Sequence, residues 1–180
     1  MTAPEIRTTG SQIVYRNRWM AVREDSIVRA DGSTGIYGVV EKPDFAVIAA
    51  LREGQLYLVE QYRYPVRQRF WELPQGSWEG QTIDPLSLAR AELREETGLV
   101  AGQMQHPGRL FLGYGYSTQA YDLFLATDCE QHATELDAEE QGLVARPFDI
   151  ATVQAMVCDG SIKDATTVAA FGLLRLKGLI

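Results

Sequence analysis

Hydrophobic and polar positions along the chain change their spacing several times, and each change predicts an element. In "IVYRNRWMAVREDSIV" β-branched and aromatic residues dominate, "ADGSTG" supplies turn chemistry, and "IYGVV" resumes the strand pattern. The chain therefore opens as a small N-terminal sheet. Next, "FAVIAAL" and "LYLVEQYRY" flank "REGQ", with Gly54 in the turn. Both runs are apolar enough to be central strands of a buried sheet joined as a hairpin. Further on, "RLFLGYG", "AYDLFLAT" and "GLVARPF" read as strands, and "DIATVQAMVCDG" and "DATTVAAFGLLRLKG" as two terminal helices opening on Asp149 and Asp164.

Between these strands lies one segment of clear helical period. Asp84 is placed to cap a helix, Pro85 suits its first position, and Gly98 suits a left-handed exit, which predicts a helix from Pro85 to Thr97. On a wheel of about 100° per residue, Leu86, Ala89 and Leu93 share the apolar face. Glu92 and Glu96 then fall at one edge of that face with Glu95 beside them, while Arg90 and Arg94 point away from it.

Composition narrows the function. With 180 residues, 46% hydrophobic, the chain has room for one domain with a well-buried core. Its 24 acidic residues outnumber 17 Lys plus Arg, which argues against holding polynucleotides by neutralising their phosphates. "MTAPEIRTTG" lacks the basic start and apolar stretch of a secretory signal, and no run is long and apolar enough to span a bilayer, so a cytoplasmic protein without a membrane or nucleic-acid partner is expected. Cys129 and Cys158 lie far apart without a CxxC pair, which indicates no disulfide framework or thiolate zinc site. "CEQHATELDAEEQ" is the one strongly polar loop candidate.

Against this background "RAELREETGL" poses a chemical question, because Glu92, Glu95 and Glu96 crowd one end of a helix. Like charges at i,i+4 cost a helix a few tenths of a kcal/mol, and the helix dipole disfavours anions in its last turns. A solvated acidic helix end is one reading. A hard divalent cation is the other, since Mg²⁺ is held by one or two carboxylates together with water and substrate phosphate oxygens.

The stretch "GSWEGQTIDPLSLARAELREETGL", from Gly76 to Leu99, resembles the signature of the Nudix hydrolases, with Glu92, Leu93, Glu95, Glu96, Gly98 and Leu99 at matching positions. Two departures stand out. Ala91 occupies the place of the family arginine that orients the helix carboxylates. One extra residue separates Gly76 from Glu92, so the family's loop glutamate falls near Thr82 or Ile83. The resemblance implies an α+β protein, a Nudix-type α/β/α sandwich with a mixed central sheet plus a small N-terminal antiparallel sheet. Residues 1–43 would form a dimerisation element and residues 44–180 the hydrolase domain. It also implies Glu92, Glu95, Glu96 and the carbonyl of Gln75 as metal ligands, Glu95 being ligand or water-positioner, with Mg²⁺ as cofactor and Mn²⁺ as its substitute.

Upstream, "VEQYRYPVRQRFWELPQG" resembles the branch that hydrolyses ADP-ribose and related nucleoside diphosphate sugars, in which Arg63 and Glu72 would line the substrate site. Physically, Arg63 can fork onto a phosphate, and Glu72 in an apolar run needs a partner, which Arg63 or a sugar hydroxyl supplies. A purely structural ion pair is the alternative. The C-terminal "GSIKDATTVAAFGLLRLKG" is similar to that branch as well, and a homodimer is implied. In such dimers Trp19 or Tyr37 would approach the partner's substrate base, unless they are simply core. "LDAEEQGLV" stands where the branch carries a water-positioning glutamate, making Glu140 or its neighbour Glu139 the candidate. "GYGYSTQ" would be a loop over the substrate or a plain connection.

The implied reaction is metal-dependent cleavage of a nucleoside diphosphate sugar, ADP-ribose to AMP and ribose 5-phosphate. The alternatives are GDP-mannose, another sugar nucleotide, a dinucleotide polyphosphate, or a Nudix-fold protein that binds a nucleotide sugar without cleaving it.

Overall fold

A computed structural model describes residues 4–78, 83–134 and 142–180. The strands form two sheets. The first is antiparallel, in the order β1 (Ile6–Arg16), β2 (Ala21–Arg29), β3 (Thr34–Glu41). The second contains β4 (Phe45–Arg52), β5 (Gln55–Arg63), β6 (Gln68–Glu72), β7 (Gln75–Gly76), β8 (Leu99–Phe111), β9 (Ala120–Gln131) and β10 (Val144–Asp149). Its main path is β10-β5-β4-β9-β8, with β6 paired to β5 and β7 to β4. Parallel pairing of β4 with β9, among otherwise antiparallel neighbours, makes the sheet mixed.

The near-continuous apolar text of β4 follows from its burial on both faces. Val47 and Ala49 belong to the core shared with Val153 of α2 (Ile150–Cys158) and Ala170, Phe171 and Leu174 of α3 (Ala165–Leu176). Ala46, Ile48 and Ala50 belong to the opposite core, with Leu88, Ala89 and Leu93 of α1 (Pro85–Thr97). The result is an α/β/α sandwich of the expected kind. Both central strands occur as expected, and their turn places Glu53 and Gly54 at φ 54° and 78°, the two left-handed positions a tight hairpin needs.

Two elements differ from expectation. The strand expected to start at Arg109 starts instead at Leu99, directly after α1. Gly102, Pro107 and Gly108 disguise its first half, and its pairing with β9 shifts register between Gln105 and Gly108. Leu86, placed on the apolar face of α1 by the wheel, is 38% exposed, while Leu88 is buried.

β4 pairs with β7 through Ala46 and Val47 and with β5 through Ala50 to Arg52, so its two neighbours on that side part company midway. The site lies where they diverge. The α3 end is tied to this point by Thr167, whose hydroxyl accepts from the Leu73 N–H at 2.9 Å. The first sheet joins the second through β3: Val40 N–H donates to Tyr116 O at 2.7 Å and Thr118 N–H to Val40 O at 3.0 Å. No helix of the described residues is long and apolar enough to cross a membrane.

Candidate active site

Helix α1 has the limits its caps predict. The Asp84 carboxylate accepts from Ser87 N–H at 3.0 Å, and Gly98 at φ 72° returns its N–H to Arg94 O. A side chain at position 98 would run into the His132 carbonyl, so glycine is required there for space as well as for φ. These caps fix the phase of the helix, and phase decides which carboxylates turn inward.

Glu92 and Glu96 do turn inward, at 5% and 1% exposure. The wheel placed them at the edge of the apolar face; strand β7 and its flanks close over that edge and bury them. Glu96 Oε2 accepts from the Gln75 N–H at 3.1 Å. A Cβ at Gly76 would overlap the Glu92 carboxylate, so the main chain of β7 runs directly against both acids. Two buried carboxylates one turn apart beside polar main chain form an all-oxygen donor set, which suits a hard cation such as Mg²⁺. Among the described residues no group of three His, Cys, Asp or Glu side chains converges on one point.

Glu95 is half-buried and lines a separate hollow of about 350 Å³ together with Ala91, Arg90, Arg94, Val100 and Ala101. Arg90 donates to the Ala101 carbonyl at 2.8 Å, which ties it to β8 rather than to the carboxylates. The hollow beside Ala91 is space that a larger side chain at that position could enter. Glu139, Glu140 and Thr82 lie outside the described residues, whereas Ile83 packs on the core beneath α1.

Gln75 and Gly76 also line a cavity of about 620 Å³, and Arg63 and Glu72 line it with them. Register explains the second pair: Arg63 and Gln61 on β5 lie opposite Gln68 and Phe70 of β6, four and two residues from Glu72. Glu72, 2% exposed, accepts from Gln61 Nε2 at 2.8 Å and from Arg63 Nε at 3.2 Å, and Arg63 Nη2 makes a further charge-assisted bond. Burial pushes the Glu72 carboxyl above the usual glutamate range, against the opposing pull of Arg63 and Gln61; nearby Asp164 adds to the rise.

The cavity includes residues that sequence reasoning did not single out as site residues: Phe70, Gln119, Lys163 and Asp164. Asp164 was recognised only as a cap, which it is, accepting from Thr166 and Thr167 N–H. The signal was the polar "KD" that closes the α2–α3 connection, but only the tertiary fold carries that connection to β6. Leu112 and Gln119, at the ends of the Gly-Tyr-rich loop, border the cavity, while Tyr114 and Tyr116 are 82% and 61% exposed. Trp19 and Tyr37 are not core: they are 44% and 43% exposed, with Arg18 stacked over Trp19 and the Tyr37 hydroxyl donating to Gly115 O.

Comparison with known proteins finds relatives over nearly the whole chain. Residues 6–40 match the nucleoside diphosphate sugar hydrolase N-terminal domain. The chain is 29% identical over 171 residues to the ADP-ribose pyrophosphatase of Mycobacterium tuberculosis, covering 94% of this chain and 83% of that one. It is 29% identical over 177 residues to the methanol dehydrogenase activator of Bacillus methanolicus, covering 96% and 94%. A crystal structure of an ADP compounds hydrolase superposes over 100% of both chains with a TM-score of 0.83 at 18% identity, a likeness of fold.

The sandwich fold and these relatives make the chain similar to the Nudix pyrophosphohydrolases. The N-terminal sheet spans the residues that match the nucleoside diphosphate sugar hydrolase domain, and the Arg63–Glu72 pair stands on the adjoining strands of the second sheet.

Proposed function

We propose that this protein hydrolyses the pyrophosphate bond of a nucleoside diphosphate sugar, with ADP-ribose, cleaved to AMP and ribose 5-phosphate, as the first substrate to test. One observation carries the reading: the buried Glu92/Glu96 pair abuts Gln75 and Gly76, and those two residues line one cavity with Arg63 and Glu72. Acids for a cation and a built polar wall for a sugar nucleotide are thus brought together.

Glu92 and Glu96, with the Gln75 carbonyl, are the residues that would hold Mg²⁺, and Glu95 would serve as a further ligand or orient water. When bound, Mg²⁺ or Mn²⁺ supplies charge neutralisation at the phosphate oxygens and lowers the pKa of coordinated water. The Gln75 N–H holds Glu96 in one orientation, so its carboxylate needs no reorganisation when substrate arrives. Glu72 keeps Arg63 against β6, and its remaining acceptor capacity suits a sugar hydroxyl. Glu139 or Glu140 would position the attacking water.

The N-terminal sheet supports a homodimer. All of β1 is exposed, and Ile13, Val14, Tyr15 and Ile36 are 44%, 55%, 51% and 67% exposed, a concentration of apolar surface suited to a second copy. Sedimentation should give twice the 20.1 kDa chain mass; a 20.1 kDa species at all concentrations rejects the dimer.

The activity test is a panel of ADP-ribose, GDP-mannose, UDP-glucose and diadenosine polyphosphates with Mg²⁺, Mn²⁺ or chelator. Metal-dependent release of AMP from ADP-ribose, faster than cleavage of the others, is expected. Preferential cleavage of another compound would replace ADP-ribose, and silence across the panel would reject the hydrolase reading.

A further inference from the structure

Arg63 is the obvious cation for the substrate's diphosphate, yet its Nε and Nη2 are both committed to Glu72. Another cation lines the same cavity: Lys163. Among the described residues no ion pair engages its ammonium, which lies 5.7 Å from the centre of the Phe70 ring. The neighbouring Asp164 carboxylate is occupied at the start of α3, accepting from Thr167 N–H at 2.8 Å and from the Thr167 hydroxyl at 2.7 Å.

The backbone holds Lys163 in place from both sides. Before it, Ile162 is 2% exposed and bonds its N–H to Met156 O at 2.9 Å, and Asp159 accepts from Ser161 N–H at 2.8 Å. After it, Asp164 caps α3, and Thr167 links that helix to Leu73 at the end of β6. A flexible four-carbon side chain is therefore presented from a fixed point, over an aromatic face that stabilises a cation without neutralising it.

We propose that Lys163, steadied by Phe70, is a substrate-binding residue that contacts a phosphoryl oxygen of the diphosphate. It thereby favours nucleoside diphosphates over uncharged nucleosides in this cavity. The inference rests on the cavity being the nucleotide-sugar site proposed above. Lysine suits the role because it is a mobile point charge that can follow a phosphate, whereas Arg63 is held as a fork on Glu72.

The test is equilibrium binding of α,β-methylene-ADP, a diphosphate the reaction cannot cleave, and of adenosine, to the full chain and to Lys163→Met and Lys163→Arg. Hydrolysis of ADP-ribose is measured in parallel. Lys163→Met should weaken the diphosphate analogue about tenfold, the scale of one charge-assisted contact, and leave adenosine unchanged. Lys163→Arg should recover most of the loss. Wild-type affinity for the analogue should fall with salt more steeply than that of Lys163→Met. Equal affinity of wild type and Lys163→Met for the analogue, or wild-type binding of adenosine as tight as of the analogue, overturns the proposal. If the wild type binds the analogue through Lys163 but does not hydrolyse ADP-ribose, the substrate reading fails and this one stands.

Discussion

Glu72 on β6 and Glu96 on α1 are buried to nearly the same degree, at 2% and 1% exposure, but in different settings. Glu72 sits under the Arg63 guanidinium and the Gln61 amide. Glu96 has another carboxylate, Glu92, one turn away and a main-chain N–H in front of it. A buried carboxylate beside a cation has part of its desolvation cost offset by its own chain, whereas two carboxylates packed together gain most from an added positive ion. The first arrangement builds a wall; the second suits a cation from solution.

Substitutions that break this contrast should have unequal effects. Glu96→Gln keeps an acceptor for the Gln75 N–H but removes a charge, and should lower kcat about a hundredfold or more with little change in melting temperature. Turnover equal to wild type would remove Glu96 from the mechanism. Gly76→Ala places a methyl on the Glu92 carboxylate. It should displace that acid and reduce kcat/KM for ADP-ribose by about tenfold or more, with a stability loss of about 1–3 kcal/mol from overpacking.

Glu72→Gln should act mainly on binding, raising KM about tenfold while kcat changes less. It should also change the pH dependence of stability. Because burial raises the Glu72 carboxyl above its ordinary 4.5, the native state keeps a proton that the unfolded chain has already released. That contribution is complete below the ordinary value and is lost as pH rises through the raised one. Denaturant titrations across this acidic range should show the wild type losing stability relative to Glu72→Gln as pH increases; a constant difference would contradict the assignment.

The smallest expected effect sharpens the contrast rather than breaking it. Ala91→Arg would put a cation into the hollow it shares with Glu95. It should lower the Mg²⁺ concentration for half-maximal activity several-fold, toward the lower end of the roughly 10–100-fold that outer-shell partners contribute. An unchanged Mg²⁺ dependence would show that Ala91 has no bearing on the metal.

Much of this was legible in the chain itself because local signals coincided. Asp84, Pro85 and Gly98 fixed the helix and thereby the phase of its glutamates, and the doubly apolar β4 announced a strand covered on both faces. Burial of Glu92 and Glu96 was not legible, since it depends on β7 folding over the helix edge from across the sheet. The early start of β8 was hidden by residues that ordinarily interrupt strands. Asp149 occupies the predicted cap position, yet its carboxylate accepts instead from Gln55 on the neighbouring strand. Lys163 could not be found from spacing, because its neighbours in the cavity lie on β6, some ninety residues earlier.

The central claim is that α1 carries a divalent-cation site. The most direct measurement is calorimetric titration of Mn²⁺ into the full chain and into Glu92→Gln/Glu96→Gln, without substrate. A saturable site in the wild type that is lost in the double variant is the expected result. Equal Mn²⁺ binding by both proteins would contradict the account.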